Sequence, residues 1–160
     1  GHELVYHNYL RMPVPVTIAQ YYFPGFPLFN FLDIRNIPLH IYTAFLLLPK
    51  FMSTFPYMEF LPFGTSMLFT SPLLLLIPLA DWKNKFVRAN GLTALVVLFG
   101  VFLHFTQGWV QFGYRFLLDF LPFLIIPLAS AIERCNKKLV ILLLVISIAM
   151  NTLGVMYGAR

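Results

Sequence analysis

The chain has little charge and almost no cysteine. Only 11% of its 160 residues are charged and 59% are hydrophobic, whereas a soluble domain carries about 25% charged residues. A soluble chain this short cannot bury so much apolar surface, because small domains hide only part of what they expose. The single cysteine, Cys135, excludes a disulfide framework and a cysteine-built zinc site. The composition therefore excludes an ordinary soluble domain, and the high hydrophobicity excludes disorder.

Several sequence motifs of soluble enzymes are also missing. The chain has no Gly-rich phosphate loop, no Gly-x-Ser-x-Gly turn and no dinucleotide fingerprint. His2 and His7 lack the accompanying glutamate that a zincin-like site needs. We therefore expect neither a cofactor nor a metal ion.

The sequence does contain long apolar stretches, and crossing a bilayer as a helix takes about 17–25 apolar residues. None of these stretches contains Lys or Arg, and Asp119 is their only acidic residue. The sequence therefore predicts an all-α integral membrane protein with about four transmembrane helices in residues 63–160. The predicted helices cover residues 63–80, 89–105, 116–132 and 139–157.

Prolines divide the four predicted spans into two kinds. Pro72 and Pro78 lie in the first span, and Pro122 and Pro127 lie in the third. Proline removes a backbone donor and clashes with the preceding helical turn. We therefore expect the first and third spans to kink or partly unwind, and the second and fourth to be regular.

Two short loops, 81–88 and 133–138, hold six of the eleven Lys and Arg residues. With four spans in series these loops fall on the same side, and the positive-inside rule places both in the cytoplasm. The predicted protein is a multi-pass plasma-membrane protein, with residues 1–62 and 106–114 outside. We therefore attribute the net charge of +5 mainly to the two predicted cytoplasmic loops, where it indicates the orientation of the chain in the membrane. It does not indicate a nucleic-acid partner, because no basic patch alternates with stacking aromatics.

The predicted outer segment, residues 1–62, contains eight of the twelve prolines and many aromatic residues. It lacks period-two alternation, so we expect loops without strands, pressed against the membrane surface or the bundle. Residues 37–48 predict a short helix, with Asn36 as its N-cap and Pro38 in its first turn. This helix is too short to span a membrane, so we expect it to lie in the outer headgroup plane. The alternative is a re-entrant helix that dips into the bundle.

Residues 107–122 form the strongest candidate site. This stretch places polar and aromatic side chains at an outward turn and then opens a span that contains Asp119. An ionisable residue inside a span indicates function by default, and Arg115 lies four residues before Asp119, at helical pairing distance. An arginine at an outer helix start can hold a phosphate, and amide and aromatic side chains suit a sugar or a lipid headgroup. The candidate binding residues are Arg115, Tyr114, Gln111, Trp109 and Asp119.

The alternative for this stretch is structural. Arg115 would extend to the headgroups with Asp119 as its partner, and Trp109 and Tyr114 would be interfacial belt residues. Other polar residues are weaker candidates. Asp33 and Glu59 could act as bases but are better explained as partners of basic residues or as caps.

Parts of the chain resemble the outer loops and spans of bacterial GT-C-type membrane glycosyltransferases, relatives of the protein O-mannosyltransferases and the lipid A aminoarabinose transferases. The resemblance is carried by five stretches, residues 9–13, 29–38, 55–57, 63–72 and 108–122. It implies an enzyme that moves a sugar from a polyprenyl-phosphate carrier to an outward-facing acceptor. In such enzymes an acidic residue in the first outer loop acts as the base, and no counterpart is found here. We therefore expect this chain to be the C-terminal part of a longer enzyme and to be inactive alone.

Other functions remain open at this stage. The chain could be a non-catalytic membrane protein that transports or scaffolds lipid-linked glycan, although no internal repeat typical of transporters is found. It could also be a structural subunit, in which case Arg115 and Asp119 would be buried against a partner. A pore is the least favoured, because the spans lack a polar stripe beyond Asp119.

Overall fold

A computed structural model describes residues 17–54, 57–61, 63–108 and 111–158. This part of the chain is mostly helical. Its α-helices are α1 (Ile18–Tyr22), α2 (Ile37–Ile41), α3 (Met67–Thr70), α4 (Lys85–Phe102), α5 (Leu117–Arg134) and α6 (Lys137–Gly158). A 3₁₀ turn, Ile34–Asn36, precedes α2, a π-helical turn, Tyr42–Leu46, follows it, and a second 3₁₀ helix spans Pro72–Leu79. A short antiparallel hairpin pairs β1 (Lys50–Phe51) with β2 (Met58–Glu59), where the sequence predicted no strand.

Two helices are long and apolar enough to cross a membrane, α4 over Lys85–Phe102 and α6 over Lys137–Met156. The third long helix, α5, also has 18 residues but includes three charged ones, Asp119, Glu133 and Arg134. The predicted all-helical character is thus confirmed for the long segments. The sequence predicted four membrane crossings, and two helices of the described residues are long and apolar enough for one.

The first predicted span is not one helix. Helix α3 ends at Thr70, and after Ser71 the chain continues as the Pro72–Leu79 3₁₀ helix. Pro72 supplies no backbone donor, which explains the break. The predicted unwinding of this span is therefore confirmed. By contrast, α5 runs from Leu117 to Arg134 through both of its prolines, so this span does not unwind, and the predicted alternative of a kink stays a prediction.

The break in the first span frees the carbonyl oxygen of Thr70, and helix α6 provides donors for it. The Ser147 hydroxyl donates to this oxygen at 3.0 Å and the Asn151 side-chain amide at 2.8 Å. An unpaired carbonyl in an apolar environment is costly, so these two side chains stabilise the irregular backbone. Ser66 caps α3 by accepting a hydrogen bond from the Phe69 backbone N–H.

The core lies between α4, α5 and the irregular first span. One apolar cluster includes Ala94 and Phe102 of α4 together with Phe120 of α5. A second cluster joins Val87 of α4 to Ala131 of α5 and lies by the two basic loops. Helices α4 and α5 therefore pack together along their length. This packing positions the turns at their two ends.

The helical segment 34–46 buries its polar face. Asn36 is 1% exposed and His40 and Thr43 are 0% exposed, whereas Ile41 is 43% and Leu46 63% exposed. This is the reverse of an amphipathic helix in water. Asn36 occupies the N-cap position of α2, as predicted, but its side chain makes no capping hydrogen bond. Asp33 instead accepts from the Arg35 backbone N–H and caps the 3₁₀ turn.

Candidate functional site

The two carbonyls that directly follow α4 accept hydrogen bonds from the segment that contains Asp33, Asn36 and His40. The Asp33 backbone N–H and the Asn36 side-chain amide both donate to the Leu103 carbonyl at 2.9 Å. His40 Nε2 donates to the His104 carbonyl at 2.8 Å. Carbonyls at a helix end lack partners within the helix. These bonds therefore fix the segment against the end of α4.

His40 joins this segment to the turn that follows α4. A carbonyl can only accept, so Nε2 carries the ring proton and Nδ1 is an acceptor. The Tyr114 hydroxyl accordingly donates to His40 Nδ1 at 2.6 Å. The imidazole also stacks on Phe102, with ring centroids 5.4 Å apart. Burial lowers the pKa of His40 to about 4 and raises the pKa of Tyr114, so both groups are neutral at pH 7.

Two glutamines hold the middle of the turn. Gln107 is fully buried, and its Oε1 accepts from the Ile18 backbone N–H at 3.1 Å. Gln111 Nε2 donates to the carbonyls of Phe63, at 2.7 Å, and of Gln107, at 2.9 Å. Gly108 has a φ of +96°, and a Cβ there would collide with the Gln111 amide. The turn therefore requires glycine at this position.

The end of the turn is bound to the first predicted span. The Thr65 hydroxyl donates to the Phe112 carbonyl at 2.9 Å, and Thr65 forms a parallel bridge with Gly113. Gly64 has a φ of +84°, and a Cβ there would lie 2.8 Å from the Gly113 carbonyl oxygen. Residues 63–65 and residues 111–113 are thereby joined by hydrogen bonds although they are far apart in sequence.

The predicted binding residues do not share one environment. Tyr114 is buried and faces His40, and Gln111 is partly buried against Phe63. Arg115 and Asp119 are exposed, and Trp109 lies outside the described residues. The structure therefore brings Tyr114 and Gln111 into the packed base of the turn and leaves Arg115 and Asp119 on its surface.

The expected ion pair between Arg115 and Asp119 is not formed. Within the described part of the chain, the ion pairs join other residues. The reason is that α5 begins at Leu117, so Arg115 is in the preceding turn and the helical four-residue spacing does not apply. The Arg115 guanidinium instead lies 5.7 Å from the centre of the Phe116 ring.

Asp33 and Glu59 each pair with a basic residue, as the sequence favoured. Asp33 Oδ2 lies 2.7 Å from Arg35 Nη2, and the hydrogen bonds from Arg35 lower the pKa of Asp33 to about 2. Glu59 lies 3.8 Å from Lys50 across the hairpin. Asp33 therefore remains an anion at neutral pH and makes a poor proton acceptor.

The two histidines considered for a metal site, His2 and His7, lie outside the described residues. Among those described, no three His, Cys, Asp or Glu side chains are grouped to hold a metal ion.

Sequence reasoning did not assign a role to Ser147 and Asn151. Their signal was present, because two polar side chains four residues apart share one face of a predominantly apolar helix. The role of His40 as a link to Tyr114 was also missed, since 74 residues separate the two. Neither contact has a local sequence pattern that would reveal its partner.

Comparison with protein families, with curated proteins and with solved structures found no match to this chain.

Proposed function

We propose that this chain is the membrane part of a glycosyltransferase that moves a sugar from a polyprenyl-phosphate carrier to an outward-facing acceptor. The chain crosses the plasma membrane four times in this proposal. Residues 81–88 and 133–138 are cytoplasmic, and residues 1–62 and 106–114 are outside. The family resemblance of residues 108–122 suggests the reaction, and the geometry of the Arg115 turn supports a role for it in binding.

The membrane location is supported by where apolar side chains are exposed. Val96 of α4 is 72% exposed and Val155 of α6 is 74% exposed, while the 34–46 segment buries its polar face. In water these exposed surfaces would be unfavourable by roughly 25 cal/mol per Å². In a bilayer the acyl chains cover them at no such cost. The reversed polarity of the 34–46 segment also suits a helix at the boundary between bundle and lipid.

The observation that carries the binding role is an exposed arginine next to a buried, hydrogen-bonded tyrosine. Arg115 directly follows Tyr114, which is fixed by its hydrogen bond to His40. It is exposed and makes no ion pair among the described residues. A guanidinium can bind phosphate with two parallel hydrogen bonds, and a rigid base lowers the entropy cost of binding.

In the proposed reaction the acceptor oxygen forms a bond to the anomeric carbon of the sugar. The bond from that carbon to the carrier phosphate breaks, and the bonding electrons leave with the phosphate. Arg115 would stabilise the negative charge that develops there. The acceptor proton passes to a carboxylate base, for which the resemblance provides no counterpart in this chain.

The test is the affinity of the purified chain for polyprenyl phosphate in detergent, measured by native mass spectrometry. Arg115→Ala should weaken binding about tenfold or more, because a charge-assisted hydrogen bond contributes about 1.5–3 kcal/mol. Arg35→Ala is the matched control, since it removes an exposed outer arginine that already has a carboxylate partner. Equal affinities for the two variants would contradict the proposal. Binding without sugar transfer, in a protein that also contains the base, would favour the carrier-scaffold alternative.

A further inference from the structure

One end of the helical bundle collects most of the positive charge. The two basic loops meet there, because Arg134 Nη1 lies 3.4 Å from Asp81 Oδ1 and the Asp81 backbone N–H donates to Ser130 Oγ at 3.0 Å. Cys135 packs on the same apolar cluster as Val87. We call this surface the basic end face. Its cations are Lys83, Lys85, Arg88, Arg134, Lys137 and Lys138.

The basic end face has too few carboxylates to balance its cations. The two loops that form it contain two carboxylates, Asp81 and Glu133, and Asp81 already forms an ion pair with Arg134. All six cations are exposed. Among the described residues, the other five have no carboxylate within ion-pair distance. The face therefore carries a strong positive potential that no carboxylate of the described residues balances.

Helix polarity adds to this potential. Lys85 and Arg88 lie at the start of α4, and Lys137 and Lys138 lie at the start of α6. Neither helix has an acidic residue in its first turn. The N-terminus of a helix has a partial positive charge, so cations there are unfavourable unless an anion is close. Val87 of α4 and Val140 of α6 pack in the same apolar cluster, so both helix starts lie at this end of the bundle and favour an external anionic partner.

Aromatic side chains beside the cations indicate what kind of anion this is. The Trp82 ring packs on Gly91 of α4, its Nε1 donates to the Pro78 carbonyl at 3.3 Å, and 39% of the residue is still exposed. Phe86 is exposed beside Lys85. Amphipathic and aromatic rings at this position favour the headgroup region of a bilayer. The apolar surface then continues along the helices through exposed residues such as Leu92 and Leu142.

We propose that the basic end face binds anionic phospholipids, with the phosphate at the cations and the acyl chains along the exposed sides of α4 and α6. Free phosphate would use the cations but not the apolar surface next to them. A lipid uses both, which is why the structure favours it. This proposal requires the membrane location proposed above but does not depend on sugar transfer.

The experiment titrates the full chain in a neutral detergent with phosphatidylglycerol and with phosphatidylcholine, and measures bound lipid by native mass spectrometry. Phosphatidylglycerol should bind at least tenfold more tightly. Lys137→Gln/Lys138→Gln should lower its affinity more than tenfold, because each cation near an anionic surface contributes a factor of about five. Lys137→Arg/Lys138→Arg should retain the affinity, which separates loss of charge from loss of folding.

The control is Arg35→Gln/Lys50→Gln, which removes two positive charges from the 17–54 segment, on residues that pair with Asp33 and Glu59. It should leave the preference for phosphatidylglycerol intact. Equal affinity for the two lipids, or an equal loss in the control, would overturn the proposal. Inorganic phosphate is tested as a competitor, and displacement of the lipid at equal concentration would show a free-phosphate site instead. Arg115→Ala should leave the affinity for phosphatidylglycerol unchanged, so failure of the lipid proposal can be distinguished from failure of the Arg115 proposal.

Discussion

The hydrogen bond between Tyr114 and His40 makes a quantitative prediction. Both residues are almost completely buried, and the hydroxyl oxygen lies 2.6 Å from Nδ1. Tyr114→Phe keeps the ring and leaves no large cavity, so the change isolates the hydroxyl. Without it, Nδ1 is a buried acceptor with no donor. The free energy of unfolding should fall by about 1–3 kcal/mol, the cost of leaving a buried polar group unsatisfied.

The assay is reversible unfolding of the full chain in mixed micelles, with helicity followed by circular dichroism as the fraction of denaturing detergent increases. Tyr21→Phe is the control, because Tyr21 is 40% exposed and packs on Phe63 through its ring. Its effect should stay below about 0.5 kcal/mol. In a His40→Ala background, the loss from Tyr114→Phe should become much smaller, since the two residues interact directly.

If Tyr114→Phe costs no more than Tyr21→Phe, the hydrogen bond to His40 does not stabilise the fold. If the loss from Tyr114→Phe is unchanged in the His40→Ala background, the hydroxyl acts through another partner.

Two further predictions concern protonation and the helix break. As the pH falls from 7 to 5, the protein should lose about 2 kcal/mol of stability through His40. Its folded pKa of about 4 lies below the usual 6.5, so protons favour the unfolded state in this range and stability is full only above pH 6.5. In α6, Ser147→Ala or Asn151→Leu alone should cost about 0.5–1.5 kcal/mol, because one donor to the Thr70 carbonyl remains. The double variant should cost more than the sum, since the carbonyl then loses both donors. Both predictions use the same unfolding assay.

Each of these predictions has a clear contrary result. A His40→Gln variant with the same loss of stability between pH 7 and pH 5 would show that another group titrates. Strict additivity of Ser147→Ala and Asn151→Leu would show that the Thr70 carbonyl finds a different donor.

The sequence predicted the long helices with little error. The second predicted span, 89–105, corresponds to Lys85–Phe102, and the fourth, 139–157, corresponds to Lys137–Gly158. Both predicted spans are predominantly apolar and contain neither proline nor a charged residue, so local composition decides their structure. The break in the first span was also predictable, because proline removes a donor wherever it occurs.

The sequence was less informative about the candidate site. Arg115 and Asp119 have the spacing of a helical pair, but the pair requires that the helix begin before Arg115, and it begins at Leu117. Helix ends are set by tertiary contacts as well as by propensity, here by the bonds that hold the preceding turn to Phe63 and Thr65. The direction of the polar face of the 34–46 segment was equally undetermined. Spacing shows that a face exists, but its partners decide whether it is buried.

By itself, the sequence determined that this is a helical, strongly apolar chain with charge concentrated in two loops, because these properties depend only on composition and order. Tertiary structure alone decided that His40 meets Tyr114, that α6 supplies donors to Thr70, and that the two loops form one basic end face. These contacts join residues 49 to 81 positions apart. They form because buried donors and acceptors need hydrogen-bond partners. Only the packed fold brings those partners within hydrogen-bond distance.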